Sequence, residues 1–328
     1  MQHSRRGFIG SLAAFGAAAG AVGAAKSASA SEKQLKISPI RNGGADEILK
    51  VTPLEIRVGA KKPFKILHAS DTHLNFWDVT DFFGNRQKED FFGTRWVRFP
   101  QALTSFIATI EYAESRSLPL FHTGDLIDWN TLGNVKVCAR TLKGTDMFYA
   151  LGNHEYHSSD GKAPALSAEA ARERVAGFVR NDLTVASRVI NGVNFVAFDN
   201  GEKNLREETV RRVEAEFEKG LPVVLMCHIP PTYTPAFIKN GLAMKKQILR
   251  GQGVPEEALA ALRPGGPIEP SYNARTMGFW NKMREQKLLK AVLCGHTHVE
   301  ESDRFSDTAD MYVTGGNYEG FAREITFI

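Results

Sequence analysis

Eight short apolar runs, six of them leading into an Asp, Asn or His, constrain this chain more than any other feature. They occupy 64–69, 118–123, 147–151, 193–198, 222–227, 291–294, 310–313 and 325–328, each the length of one buried strand. Between them lie stretches with helical spacing at about 101–116, 167–180, 205–219 and 239–250. The third of these puts Val210, Val213 and Phe217 on one face of a charge-rich helix. Strands alternating with helices predict an α/β layered fold, and the adjacent strands late in the chain predict mixed rather than purely parallel sheets. Residues 33–62 alternate apolar and polar, notably Leu54-Glu55-Ile56-Arg57-Val58, and read as a small hairpin within an N-terminal extension at 31–62. The catalytic-sized domain is then 63–328.

The polar clusters stand where open α/β sheets place ligands, at the carboxyl ends of strands. In order they are Asp71-Thr72-His73, Gly124-Asp125-Leu126-Ile127-Asp128, Gly152-Asn153-His154-Glu155, His228, and Gly295-His296-Thr297-His298. A lone strand-end histidine is ordinarily structural, and Gly-Asp is a common turn. Five such clusters in register with five strands are a ligand set. Carboxylate, imidazole and amide oxygens together suit Fe, Mn or Zn better than Ca or Mg. In extended chain, residues i and i+2 point the same way roughly 7 Å apart, so Asp71 and His73 can converge on one ion. His296 and His298 can each serve one of two ions about 3.5–4 Å apart. Glycines at 124, 152 and 295 allow the sharp turns and close approaches this requires.

The ordered set resembles the calcineurin-like metallophosphoesterase superfamily, over a span from about Phe64 to His298. The resemblance implies a four-layer αββα sandwich and a dinuclear metal centre. One ion would be held by Asp71, His73, Asp125 and His298, the other by Asp125, Asn153, His228 and His296, with Asp125 shared. It implies that His154 stands beside the leaving group without binding metal, and that Asp128 orients it. The expected reaction is hydrolysis of a phosphate mono- or diester, by in-line attack of a metal-bridged hydroxide with His154 protonating the leaving oxygen. The competing expectation is a silent metal-binding or interaction module on the same scaffold, for which a proton donor such as His154 would be superfluous.

Residues 1–30 read as an address rather than as fold. Arg5-Arg6-Gly7-Phe8-Ile9 opens an uncharged, Ala- and Gly-rich run that ends before Lys26, and Ala28-Ser29-Ala30 offers a small-x-small cleavage site. This resembles a twin-arginine signal peptide, and implies the export machinery as a partner, a periplasmic or secreted product and no stable membrane insertion after cleavage. The segment carries three of the chain's four net positive charges, which leaves +1 for the remainder. That balance argues against long nucleic acid, and the family resemblance implies a small phosphoester substrate instead.

Two stretches read as insertions. Residues 76–100 are rich in Phe and Trp, and pack over the core or wall the site. Residues 233–289 form a cap-like insertion with nine Lys/Arg against four Glu, within which Arg275 is the candidate substrate contact. The cysteines, Cys138, Cys227 and Cys294, form no disulfide framework, although Cys227 and Cys294 become neighbours if His228 and His296 share a site.

Overall fold

The computed structural model describes residues 44–82, 93–158, 166–202, 204–231 and 273–328. The twin-arginine stretch, the 239–250 segment and most of the 233–289 insertion lie outside the described residues.

Two mixed sheets form the frame. The first contains β1 (Lys50–Ile56), β2 (Phe64–Ala69), β3 (Leu120–His122), β4 (Met147–Tyr149) and β11 (Phe321–Phe327), in the order β1-β11-β2-β3-β4. The second contains β5 (Val185–Ile190), β6 (Val193–Phe198), β7 (Val223–Met226), β8 (Leu289–Cys294), β9 (Glu301–Arg304) and β10 (Asp310–Val313), in the order β5-β6-β7-β8-β10-β9. Within each sheet the strands that lead into polar clusters are parallel neighbours: β2, β3 and β4 in one, β7 and β8 in the other. Their carboxyl ends therefore lie on one rim of each sheet.

Period-2 alternation makes the layers. Along β7, Val224 and Met226 enter a core with Ile66, Phe121, Phe148, Phe195, Leu293 and Phe327, which joins the two sheets face to face. The intervening Val223 and Leu225, with Cys227 just beyond the strand, face a second core closed by α4 (Glu207–Phe217) and α5 (Ala274–Glu285) through Val213, Phe217, Phe279, Trp280 and Met283. A third core lies on the far side of the first sheet, where Leu67 and Leu120 meet Phe106 and Ile110 of α1 (Ala102–Ser115) and Cys138 of α2 (Leu132–Thr141). The helix–sheet–sheet–helix order is the expected four-layer sandwich. Each fully buried Phe of the central core contributes about 1.5–3 kcal/mol.

The helices begin where side chains can satisfy the exposed backbone N–H groups. Thr131 accepts from Asn134 N at 3.1 Å to start α2, Ser167 from Ala170 N at 3.2 Å to start α3 (Ala168–Ala176), and Asn273 from Thr276 N at 2.9 Å to start α5. Among the described residues no helix is long and apolar enough to cross a membrane.

One strand departs from the sequence reading, and other expectations gain detail. Residues 50–56 pair in parallel with the distant β11, while residues 33–43 of the expected hairpin lie outside the described residues. Strand β5 is absent from the predicted runs because it is an edge strand whose exposed positions, Ser187 among them, interrupt its apolar text. Phe76, Trp96 and Phe99, from the aromatic stretch 76–100, join the core outside the first sheet, while part of that stretch lies outside the described residues. Cys138, Cys227 and Cys294 are buried thiols, and Cys227 Sγ lies 3.6 Å from Cys294 Sγ across β7 and β8.

Candidate metal centre

Past their strands, the clusters turn through left-handed backbone. Asp71 (φ 55°), His73 (51°), Asp125 (53°), His296 (73°) and His298 (61°) all have positive φ. Non-glycine residues avoid this region at a cost of about 1–3 kcal/mol each, and such strain collects at functional sites. The chain is thus not extended here, and Asp71 and His73 converge through tight turns. Backbone bonds between neighbouring loops hold the turns: Asp71 N–H donates to Gly124 O at 3.0 Å and His73 N–H to Asp125 O at 2.9 Å. Gly124 (φ 88°) is needed in the same sense, since a Cβ there would stand 2.6 Å from Gly152 N.

Each acidic residue divides its oxygens. Asp125 Oδ1 accepts from His154 N–H at 2.8 Å, which leaves Oδ2 at 3.1 Å from His228 Nε2 and 3.7 Å from His73 Nε2. Asp71 Oδ2 accepts from His296 N–H at 2.8 Å, and Oδ1 faces His298 Nε2 at 3.3 Å and His73 Nε2 at 3.8 Å. Asp71 Oδ1 is buried and accepts no hydrogen bond among the described residues.

The imidazoles are anchored by the nitrogen that faces away. His73 Nδ1 meets Asp128 Oδ1 at 3.1 Å, His228 Nδ1–H donates to Thr123 O at 2.7 Å, and His298 Nδ1 meets Tyr318 Oη at 3.3 Å. The inward nitrogens then crowd together. His73 Nε2 lies 3.0 Å from His298 Nε2, while His228 Nε2 lies 3.1 Å from both His296 Nδ1 and Asn153 Oδ1. Ligands bound to a first-row ion at roughly 2.0–2.2 Å stand about 3 Å apart, so this spacing suits donors aimed at common points. Three overlapping groups emerge among the described residues: Asp71, His73 and His298 on one side, Asp125, His228 and His296 on the other, and His73, Asp125 and His154 bridging them, with Asp125 Oδ2 between the two sides.

The field of the site is unusual. Burial disfavours charge on His73, but its hydrogen bond to the Asp128 carboxylate and the nearby carboxylates of Asp71 and Asp125 outweigh it and raise its pKa to about 9. Burial likewise opposes charge on His228, and Asp125 and Asp71 nonetheless lift it to about 10. Burial pushes the Asp71 and Asp125 carboxyls up, yet the surrounding histidines hold both below the usual carboxylate range. Such a nest of buried donors attracts positive charge.

His154 stands at the edge of these groups. Its Nδ1–H donates to Asp128 O at 2.8 Å, with Asp128 Oδ1 at 3.2 Å, which turns Nε2 toward Asp125 Oδ2 at 4.0 Å. The Asp128 carboxylate, expected to serve His154, also contacts His73 and is gripped by Arg95 through Nε–H at 2.6 Å and a second short contact. A cavity of about 100 Å³ opens over the centre, lined by His73, Arg95, Arg98, Phe99, Asp125, His154, His296 and His298. Beside it, Asn153, Tyr156 and His157 line a shallower cavity of about 230 Å³.

Arg275 is not brought to the centre. It is exposed near the start of α5, 3.6 Å from Glu207, and does not line the cavity. The described arginines that do are Arg95 and Arg98, one turn apart in the helix at 93–98, and no sequence signal marked them. Glu155 also went unassigned. Its buried carboxylate accepts from Asp125 N at 3.1 Å, Leu126 N at 2.9 Å, Ile127 N at 3.2 Å and Gly152 N at 2.8 Å, tying the loops after β3 and β4 together. His68 and His122 are core: burial lowers both to about 3, and they bond Thr123 and Thr72 side chains at 2.9 Å.

Over residues 64–300 the chain matches the sequence profile described as calcineurin-like phosphoesterase. No curated protein sequence matches it significantly. Among solved structures, a putative 5′-nucleotidase from Staphylococcus aureus is similar over 78% of this chain and 49% of its own, at 13% identity and a TM-score of 0.42. A dimetal phosphatase from Danio rerio is similar over 78% of this chain and 88% of its own, at 10% identity and 0.41. A 5′-nucleotidase from Candida albicans is similar over 82% and 47%, at 14% identity and 0.36. The chain spans about half the length of each nucleotidase.

Proposed function

Because the chain belongs to the calcineurin-like phosphoesterase family, we propose that it is an exported hydrolase of phosphate mono- or diesters with a dinuclear metal centre. The observation that carries this reading is Asp125 Oδ2, placed between two groups of inward-facing donors with His154 beside them. The residues fit the metals. Asp71 Oδ1 is a buried acceptor that a cation would satisfy, and the mixed carboxylate, imidazole and amide donors suit Fe, Mn or Zn. Asp71, His73, Asp125 and His298 would hold one ion, and Asp125, Asn153, His228 and His296 the other. What such a pair supplies when bound is concentrated positive charge, which polarises phosphoryl oxygens and acidifies water.

The chain's own groups do the rest. His154 is held by the Asp128 backbone carbonyl through Nδ1–H, so its Nε2 faces the cavity, where it can deliver a proton to the leaving oxygen. Asp128, fixed by Arg95, keeps His154 and His73 in single tautomers and orientations. Phe99, stacked on His73 at 4.6 Å and 6°, keeps water from one side of that ligand. A proton donor aimed into the cavity favours an enzyme over a silent binding module.

The test is a panel of mono- and diesters given to protein purified from the cell envelope with its metals counted. Phosphate or alcohol release that EDTA abolishes and added metal restores supports the reading, and no hydrolysis by fully loaded protein sinks it. Export is tested by N-terminal sequencing of that same form. A start near residue 31 agrees with cleavage after Ala30, and a start at Met1 refutes it.

A further inference from the structure

Two arginines line the cavity, and their circumstances differ. Arg95 donates from Nε and Nη2 to the Asp128 carboxylate, so its charge is balanced within the wall. Arg98 is exposed, lies 5.4 Å over the Phe99 ring, and has no carboxylate within ion-pair distance among the described residues. Phe99 in turn stacks on His73, so the Arg98 guanidinium is held one aromatic ring away from a proposed metal ligand. Among the described residues, Asp125 is the only acid in the lining, and it belongs to the donor set beneath. Of the two described arginines at the cavity, Arg98 is thus the one whose charge no described carboxylate balances. An arginine fork on an aromatic plate is preorganised for an oxyanion.

We propose that Arg98 binds a second oxyanion of the substrate, so that the site selects phosphoesters bearing another carboxylate or phosphoryl group close to the scissile one. This rests on the phosphoesterase reading above. A grip on the transferred phosphoryl itself is the alternative role for the same side chain, and the two differ in which ligands feel its loss.

The test uses metal-loaded protein and a binding readout, independent of turnover. Affinities for methylphosphonate and ethylphosphonate are compared by calorimetry with those for phosphonoacetate and phosphonopropionate, which add one carboxylate. Wild type is expected to prefer the carboxylated partners by roughly tenfold or more, the scale of a charge-assisted bidentate contact. Arg98→Gln should remove that preference while its metal content stays at the wild-type value, and Arg98→Lys, which keeps charge without the fork, should restore part of it. A preference that survives in Arg98→Gln means that the added carboxylate reaches a metal instead, and overturns the proposal. No preference in wild type, or an equal loss for every ligand in Arg98→Gln, overturns it as well. Failure of fully loaded protein to bind any phosphonate overturns the phosphoesterase reading and this inference together.

Discussion

At the scale of single residues, the centre separates groups that bind from groups that position. The His154 side chain meets the donor set only through its 4.0 Å approach to Asp125 and an edge-on packing against His73 at 4.7 Å, so His154→Ala should lower kcat by about 10²–10⁴ while metal content holds. Asp128 behaves differently, because its carboxylate touches His73 as well as His154. Asp128→Asn should cost activity and also weaken metal binding by roughly 10–100-fold, read by competition with a chelator. Protons supply a further test. With His73 raised to about 9 and His228 to about 10, both are protonated at neutral pH and must lose a proton to bind metal. Apparent metal affinity should therefore rise with pH up to the range 9–10, and fall as the medium is acidified. Calorimetry in buffers of different ionisation enthalpy should show proton release on uptake near pH 7, and a pH-independent affinity would contradict the raised values. The sequence displayed these candidate ligands because Asp, Asn and His followed strands. It concealed Arg95 and Arg98, whose place over the site depends on how residues 93–98 coil, which no periodicity in six residues reveals.

At the scale of elements, the site is a set of loops that need outside restraint. Five left-handed non-glycine residues sit in the turns after β2, β3 and β8, and Glu155 clamps the β3 and β4 turns through four backbone N–H groups. Glu155→Ala would leave buried donors unsatisfied at about 1–3 kcal/mol each, so a loss of roughly 3 kcal/mol or more is expected in denaturant unfolding. An exposed, dispensable Glu155 would show less than 1 kcal/mol, roughly the scale of surface substitutions. Strands β2, β6 and β10 were readable to the residue because each is a buried run with clear ends. Helix α2 was not, since Gly133, Asn134, Lys136 and Arg140 break its apolar pattern and its start depends on the Thr131 cap. The left-handed turns were invisible for a related reason: Asp and His do not announce positive φ as glycine does.

At the scale of the whole molecule, the centre joins the two sheets. Asp71, His73, Asp125 and Asn153 follow strands of the first sheet, while His228, His296 and His298 follow strands of the second. Ions held between them would tie the layers at one rim, where the central apolar core ends. Metal at a hundred times its Kd should then stabilise the fold by about 2.7 kcal/mol, seen as a rise in Tm that EDTA reverses. The layered architecture was readable from strand–helix alternation. The parallel pairing of β1 with β11 was not, because it depends on which edge is open once everything else has folded.

The sharing of Asp125 is the central claim, and stripped protein titrated with Mn or Zn against hydrolysis of a phosphate ester tests it most directly. Activity that climbs to a plateau at two metal equivalents per chain in the wild type, and fails to reach it in Asp125→Asn, is the expected result. A plateau at one equivalent, an unaffected Asp125→Asn, or no hydrolysis at any loading would contradict it.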